Sequence, residues 1–108
     1  MYAVVGVWQR DPELADQQQQ VLDSQIVPGV RRQPGLVAGY WAGEPQGNRS
    51  YTFIVFDDRS SAEAFAADVR ANEVNQSASG VTSVELAVVP VSAYLNRTPA
   101  GDQQAGVP

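Results

Sequence analysis

Four aromatic side chains and one arginine carry the chemistry that a small-molecule site would need. They are Trp8, Arg10, Tyr40, Trp41 and Tyr51. Tyrosine and tryptophan combine apolar bulk with one hydrogen-bond donor, which suits an aromatic ligand, and Arg10 offers a guanidinium to a carboxylate or an enolate. Each also has a structural alternative. Aromatic residues commonly complete cores and interfaces, and a single arginine at a strand end is commonly solvated.

Other charged residues suggest weaker sites. Glu85 interrupts an apolar strand, so burial would raise its pKa and make it a candidate general base, whereas an edge position would leave it facing water. Asp57 and Asp58 could be a carboxylate pair that shares a proton. Adjacent residues on a strand point to opposite faces, however, so a role in a turn or a helix cap explains them better. Arg31 and Arg32 form a basic pair for an anion, or a pair that faces solvent.

Missing residue types exclude whole mechanisms. The 108 residues contain no Cys and no His, and all seven cations are arginine, so lysine is absent as well. Disulfides, thiolate nucleophiles, imidazole ligands for metal or haem, and lysine Schiff bases are therefore excluded. We expect no metal and no cofactor. An enzyme built from this chain must use Asp, Glu, Tyr, Arg, Asn, Ser or Trp.

Net charge and hydropathy limit the kinds of partner that this protein is expected to bind. The formal charge is −5, which argues against nucleic acid and anionic membranes, because both are bound by clustered cations. No apolar run approaches the roughly 20 residues that span a bilayer. The first eight residues lack the features of a signal peptide, so a cytoplasmic protein is expected.

The strands and helices that position these residues are predicted from the runs of apolar residues and from the prolines and capping residues between them. Valine-rich and aromatic runs predict strands over 2–10, 36–43, 50–56 and 81–91. Asp11, Pro12 and Glu13 open a first helix, which Pro28 is expected to end near Val27, with one further turn over 30–32 as the alternative. A capping box from Ser60 to Glu63 predicts the start of a second helix. We therefore expect a single domain over 1–95 and a flexible tail over 96–108.

Both faces of the predicted sheet are apolar. The first strand places Val5 and Val7 on one side and Val4 and Trp8 on the other. Two helices cover only one face, and the second would expose an apolar patch unusual for a monomer. The sequence therefore predicts a homodimer through the sheet face, and light scattering should report about twice the chain mass of 11.6 kDa.

The order of elements, the entry Pro34-Gly35-Leu36 and the helix start over 61–65 resemble the dimeric α/β-barrel superfamily over about residues 2–95. More narrowly, they resemble its antibiotic-biosynthesis-monooxygenase-like members. The resemblance implies an α+β fold: a ferredoxin-like βαββαβ antiparallel sheet with two helices on one face and a sheet-to-sheet dimer.

The same resemblance frames the activity. Haem-degrading members hold iron through a histidine, which this chain lacks. Cofactor-free monooxygenases of the superfamily use Asn, Trp and Tyr, and these types occur here at Trp8, Tyr40, Trp41, Asn48 and Tyr51. No residue of this chain aligns with that constellation well enough to inherit a catalytic role, and fold alone does not choose among the activities.

Two hypotheses follow. The first is a small-molecule-binding dimer that acts as a cofactor-independent monooxygenase on an aromatic or phenolic substrate. The alternative is a non-catalytic dimeric binding or stress-related module, whose aromatic residues only complete core and interface. An enzyme of the first kind needs a cavity of about 300 Å³ or more with two or three convergent polar groups.

Overall fold

Four antiparallel strands form one sheet. The computed structural model describes residues 1–45 and 47–97. The strands are β1 (Tyr2–Arg10), β2 (Leu36–Gly43), β3 (Arg49–Phe56) and β4 (Val81–Pro90), and their order in the sheet is β2-β3-β1-β4. This element order and topology confirm the predicted α+β, ferredoxin-like fold.

Two helical arms connect the strands. The first contains a 3₁₀ turn (Pro12–Leu14), α1 (Ala15–Val21), a π-helical turn (Leu22–Ile26) and α2 (Val27–Arg31). The second contains α3 (Arg59–Ala71) and α4 (Glu73–Ala78). Both arms lie on the same face of the sheet, because Val30 of α2 and Ala62 of α3 belong to one buried cluster. None of the described helices is long and apolar enough to cross a membrane.

The first helix does not end at Pro28, contrary to the sequence prediction. It continues through Pro28 to Arg31, and the backbone N–H of Val27 donates to the carbonyl of Leu22, five residues earlier. A proline inside an α-helix clashes with the carbonyl four residues before it. The wider π turn displaces that carbonyl, so the chain passes Pro28 without losing its helical course.

The second arm begins earlier than the proposed capping box. Asp58 is the N-cap, and its Oδ1 accepts from the backbone N–H of Ser61 at 2.8 Å. The Ser60 hydroxyl donates to the same oxygen. Glu63, the other half of the proposed box, instead pairs with Arg59 at 2.9 Å, because helical spacing brings residues four apart together.

We expect Asp58→Ala to lower the melting temperature at neutral pH and to have little effect at low pH. Hydrogen bonds from the backbone and side chain of Ser61 and from Ser60 lower the Asp58 pKa below its usual 3.8. The cap therefore contributes its full stability above the unfolded-state pKa and loses it as pH falls through the lower folded pKa. Thermal unfolding of both proteins at pH 7 and below pH 3 measures the difference. Asp57→Ala is the control, and an equal loss in both variants would contradict the capping role.

The core lies between the sheet and the helical arms. Val4, Ile54 and Phe56 are its largest fully buried side chains, and the small Ala62 and Ala66 let α3 approach closely. The rings of Phe56 and Phe65 lie 5.3 Å apart between centroids. This layer fixes the helix-facing side of every strand.

The opposite face of the sheet is apolar and uncovered in the single chain. Tyr40 is 65% exposed, while Tyr51 and Phe53 are each 42% exposed. Register places Phe53 between Tyr40 of β2 and Val5 of β1, so these residues form a band across three strands. We name this surface, with Val5, Tyr40, Tyr51, Phe53 and Val89, the open face. The two apolar faces are confirmed, and the dimer they imply stays a prediction.

The end of the last strand differs by one residue from the sequence prediction. β4 ends at Pro90, and the N–H of Val91 donates to the carbonyl of Met1 at 3.0 Å. Residues 91–97 form no helix or strand. Most of the predicted tail, from residue 98 to 108, lies outside the described residues, and the domain boundary stays a prediction.

Candidate functional site

The structure divides the candidate residues between the two faces of the sheet. Trp8, Arg10 and Trp41 face the helices, whereas Tyr40 and Tyr51 lie on the open face. Alternation along β2 is the reason, since adjacent strand residues point to opposite sides. The single pocket proposed to contain Tyr40, Trp41 and Tyr51 together is therefore not formed within one chain.

Trp8 is held by a hydrogen bond that the sequence analysis did not foresee. Its indole Nε1 donates to Thr52 Oγ1 at 3.1 Å, and the side chain is only 9% exposed. Gly6 makes room for this contact. A methyl group at Gly6 would lie 2.6 Å from Thr52 Oγ1 and 2.7 Å from Trp8 Nε1. Gly6 and Thr52 are cross-strand partners, so correct strand register is the signal that could have found the pair.

We expect Gly6→Ala to destabilise the protein by about 1–3 kcal/mol, because the added methyl overpacks this site. Displacing the indole should also shift the tryptophan emission to longer wavelength. Chemical unfolding followed by fluorescence measures both effects. Gly29→Ala is the matched control, since nothing lies within 4 Å of a methyl there and alanine favours the helix. Equal stability of the two variants would contradict the crowding at Gly6.

Trp41 lies beside this pair. Trp41, Thr52 and Gly6 occupy one cross-strand row over β2, β3 and β1. The Trp41 ring leans towards Gly39, where a methyl would lie 3.2 Å from two of its ring carbons. The next cross-strand row contains Gly43 and Ser50. Their side chains are small and rise little above the sheet beside the two indoles, so we call this pair the low row.

Arg10 reaches over this low row. Its guanidinium nitrogens lie 2.6 and 2.8 Å from where a methyl at Gly43 would stand, and Nη2 donates to the Glu44 carbonyl at 2.9 Å. A single arginine at a strand end is commonly solvated. The structure makes Arg10 part-buried. We call Trp8, Arg10, Gly43, Trp41 and Thr52 together the helix-side site.

The helical layer above this end of the sheet is thin. α2 packs on β2, whereas α1 and the π turn make only sparse contacts with the strands. Gly43 is accordingly exposed although it faces the helical side, and Trp41 and Arg10 are only half-buried. The helix-side site is therefore open to solvent at Gly43.

Tyr51 belongs to a separate polar contact on the open face. Its hydroxyl donates to Glu44 Oε2 at 3.0 Å. The hydrogen bond to Glu44, with smaller contributions from desolvation and the negative charge, raises the pKa of Tyr51. The phenol stays protonated at neutral pH, so Tyr51 serves as a hydrogen-bond donor rather than as a base.

The weaker candidate residues, Glu85, Arg31 and Arg32, lie outside the helix-side site. Glu85 is exposed on the edge strand β4, opposite Val7, as its water-facing alternative predicts. Beside it, register shifts between Val7 and Trp8, which leaves Val84 unpaired in a β-bulge. Arg31 and Arg32 are exposed. Among residues 1–45 and 47–97, no group of three or more His, Cys, Asp or Glu is arranged to hold a metal ion.

Two cavities of the described residues are lined by neither Arg10 nor Trp41. One, of about 20 Å³, lies beneath α3 and α4 and is lined by Trp8, Ser83 and Gln76 among others. The other, of about 480 Å³, is a wide depression on the first arm, lined by Asp16, Gln19, Gln20, Asp23 and Ser24. Neither brings Arg10 and Trp41 into an enclosed space, so the 300 Å³ cavity that an enzyme needs is not provided there.

The sequence matches no protein-family model and no curated protein. The structure does resemble solved proteins. A candidate antibiotic biosynthesis monooxygenase from Deinococcus radiodurans superposes with a TM-score of 0.72 at 16% identity, covering 91% of this chain and 99% of that one.

Two further structures extend the resemblance. A cofactor-independent oxygenase from Streptomyces nogalater gives a TM-score of 0.65 at 16% identity over 89% of this chain and 97% of that one. A monooxygenase from Streptomyces coelicolor, in complex with nanaomycin D, gives 0.60 at 16% identity over 89% and 92%. The chain therefore has the ferredoxin-like fold of antibiotic-biosynthesis-monooxygenase-like proteins, and at these identities the likeness concerns the fold.

Proposed function

We propose that this protein binds a small aromatic molecule at the helix-side site. The observation that carries the proposal is the Trp8–Thr52 pair beside Trp41, with the low Gly43–Ser50 row next to it and an opening to solvent. The half-buried Trp41 indole suits a planar aromatic ring, and the buried Trp8 fixes Thr52 as a polar group beside it. In the proposed dimer, the open face is the interface.

We further propose cofactor-independent oxygenation as the activity of this site, which requires the site to close around the bound substrate, because the described residues enclose no cavity of about 300 Å³ there. In such a reaction a CH₂ group of the substrate and one O₂ become a carbonyl and one water, and the substrate supplies all the electrons. The likeness to a cofactor-independent oxygenase supports this chemistry.

A second candidate function is binding without turnover. In the described part of the chain, no carboxylate is hydrogen-bonded to Trp8, Trp41 or Thr52, so the site contains no evident general base. This observation favours a binding module. An oxygenase at this site would have to use a substrate acidic enough to ionise without assistance.

Fluorescence titration and oxygen consumption with anthrone and with quinols separate the two candidates. We expect quenching of tryptophan emission by anthrone and oxygen uptake by the wild type. Trp41→Phe should weaken both by about tenfold, because a smaller ring without the indole N–H replaces one wall of the site. Tyr40→Phe, on the neighbouring residue but the opposite face, is the control and should leave both unchanged.

Each outcome decides between the candidates. Binding without oxygen uptake would favour the binding module. Neither binding nor uptake would contradict the proposed function. An equal effect of Trp41→Phe and Tyr40→Phe would contradict the placement of the site.

A further inference from the structure

Arg10 differs from every other cation of the protein in its burial. All seven arginines lie in the described residues, and the other six are exposed. Arg59, for comparison, forms an exposed ion pair with Glu63. A half-buried charge loses part of its hydration, and an opposite charge or hydrogen bonds can replace what is lost.

The compensation that Arg10 receives within the chain is incomplete. Its guanidinium has five N–H donors, and the described contacts give it one acceptor, the Glu44 carbonyl. No carboxylate of the described residues forms an ion pair with it. The carboxylate of Glu44 is directed elsewhere, to the Tyr51 hydroxyl and the Arg49 backbone N–H. Donors of Arg10 therefore remain available over Gly43, which is two residues from Trp41 along β2.

We propose that Arg10 recognises an anionic oxygen of the ligand, so that the helix-side site takes planar aromatic molecules that carry a carboxylate or an ionised enol or phenol. This inference rests on the proposed function. A guanidinium forms two parallel hydrogen bonds to a carboxylate, and such charge-assisted bonds are stronger than neutral ones. The ring of the ligand then lies against the Trp41 indole and its charged group meets Arg10.

Gly43 acts as a positioning residue in this arrangement. Any side chain there would meet the guanidinium, since a methyl would lie 2.9 Å from its central carbon as well as close to both terminal nitrogens. Gly43→Ala should therefore displace Arg10 without removing its charge. The variant therefore tests whether binding depends on the position of the guanidinium and not only on its charge.

The test compares 2-naphthoate with its neutral counterpart 2-naphthamide by calorimetry and fluorescence titration. We expect the wild type to bind the carboxylate at least about tenfold more tightly than the amide, as expected for a charge-assisted bidentate contact. Arg10→Gln and Gly43→Ala should bring the ratio of the two affinities close to one. Arg49→Gln removes an equal but exposed charge at the same end of the sheet and should keep the wild-type ratio.

The outcomes distinguish this inference from the function on which it rests. If neither compound binds the wild type, the proposed function fails and the inference falls with it. If both bind equally well, or if Arg10→Gln keeps the preference, only the role of Arg10 is overturned. The wild-type ratio needs no variant and Gly43→Ala keeps the charge, so the inference remains testable if Arg10→Gln does not fold.

Discussion

Phe53→Asp is expected to convert a dimer of about twice 11.6 kDa into a monomer. Phe53 lies at the centre of the open face, between Val5 and Tyr40 of the neighbouring strands. In a symmetric sheet-to-sheet dimer each substitution occurs twice, so two unpaired carboxylates would be buried near each other. Light scattering during size-exclusion chromatography measures the mass directly.

Val74→Asp is the matched control for this variant. Val74 is 81% exposed on α4, away from the sheet, so the same change of side chain and charge there should leave the dimer intact. A wild-type protein that elutes as a monomer would contradict the dimer. Two variants with the same mass would show that the open face is not the interface.

Phe56→Ala is expected to lower the free energy of unfolding by about 3–5 kcal/mol, the range for removing a buried aromatic ring. Phe56 is fully buried between the sheet and α3, and it contacts the ring of Phe65. The cavity left behind lies among residues fixed by strand pairing on both sides, so little collapse can relieve it. Urea unfolding at one fixed protein concentration gives the difference, because dimerisation makes apparent stability depend on concentration.

Tyr94→Ala provides the contrast for the core variant. Tyr94 is 70% exposed and outside the helices and strands, so its removal should change the free energy of unfolding by less than about 0.5 kcal/mol. Comparable losses in the two variants would mean that the core is not where the structure places it.

Secondary structure was predicted best from the sequence where a single local feature determined it. Apolar and β-branched runs predicted all four strands, with ends that differ from the structure by at most one residue at β3 and β4. Helix ends were less predictable, because two signals competed there. At Asp58 an N-cap prevailed over the proposed capping box, and at Pro28 a π turn removed the steric reason for the helix to stop.

The candidate site was predictable in residue type but not in arrangement. Strand alternation alone separates Tyr40 from Trp41, and it could have been applied from the sequence. The contact of Trp8 with Thr52 required the register of β1 against β3, which joins residues 44 apart along the chain. The partial burial of Arg10 depends on its position over Gly43, and the opening beside it depends on the sparse packing of the first helical arm, which are properties of three elements together.

The bulge in β4 makes that strand one residue longer than its pairing with β1 requires. Glu85 pairs with Val7 and Ser83 pairs with Trp8, while Val84 between them has no partner. Removing Val84 would therefore leave every pair and every face assignment in place. Related chains can differ in length by one residue here without moving any side chain between the open face and the helical layer, so an alignment of such chains should place its gap at Val84.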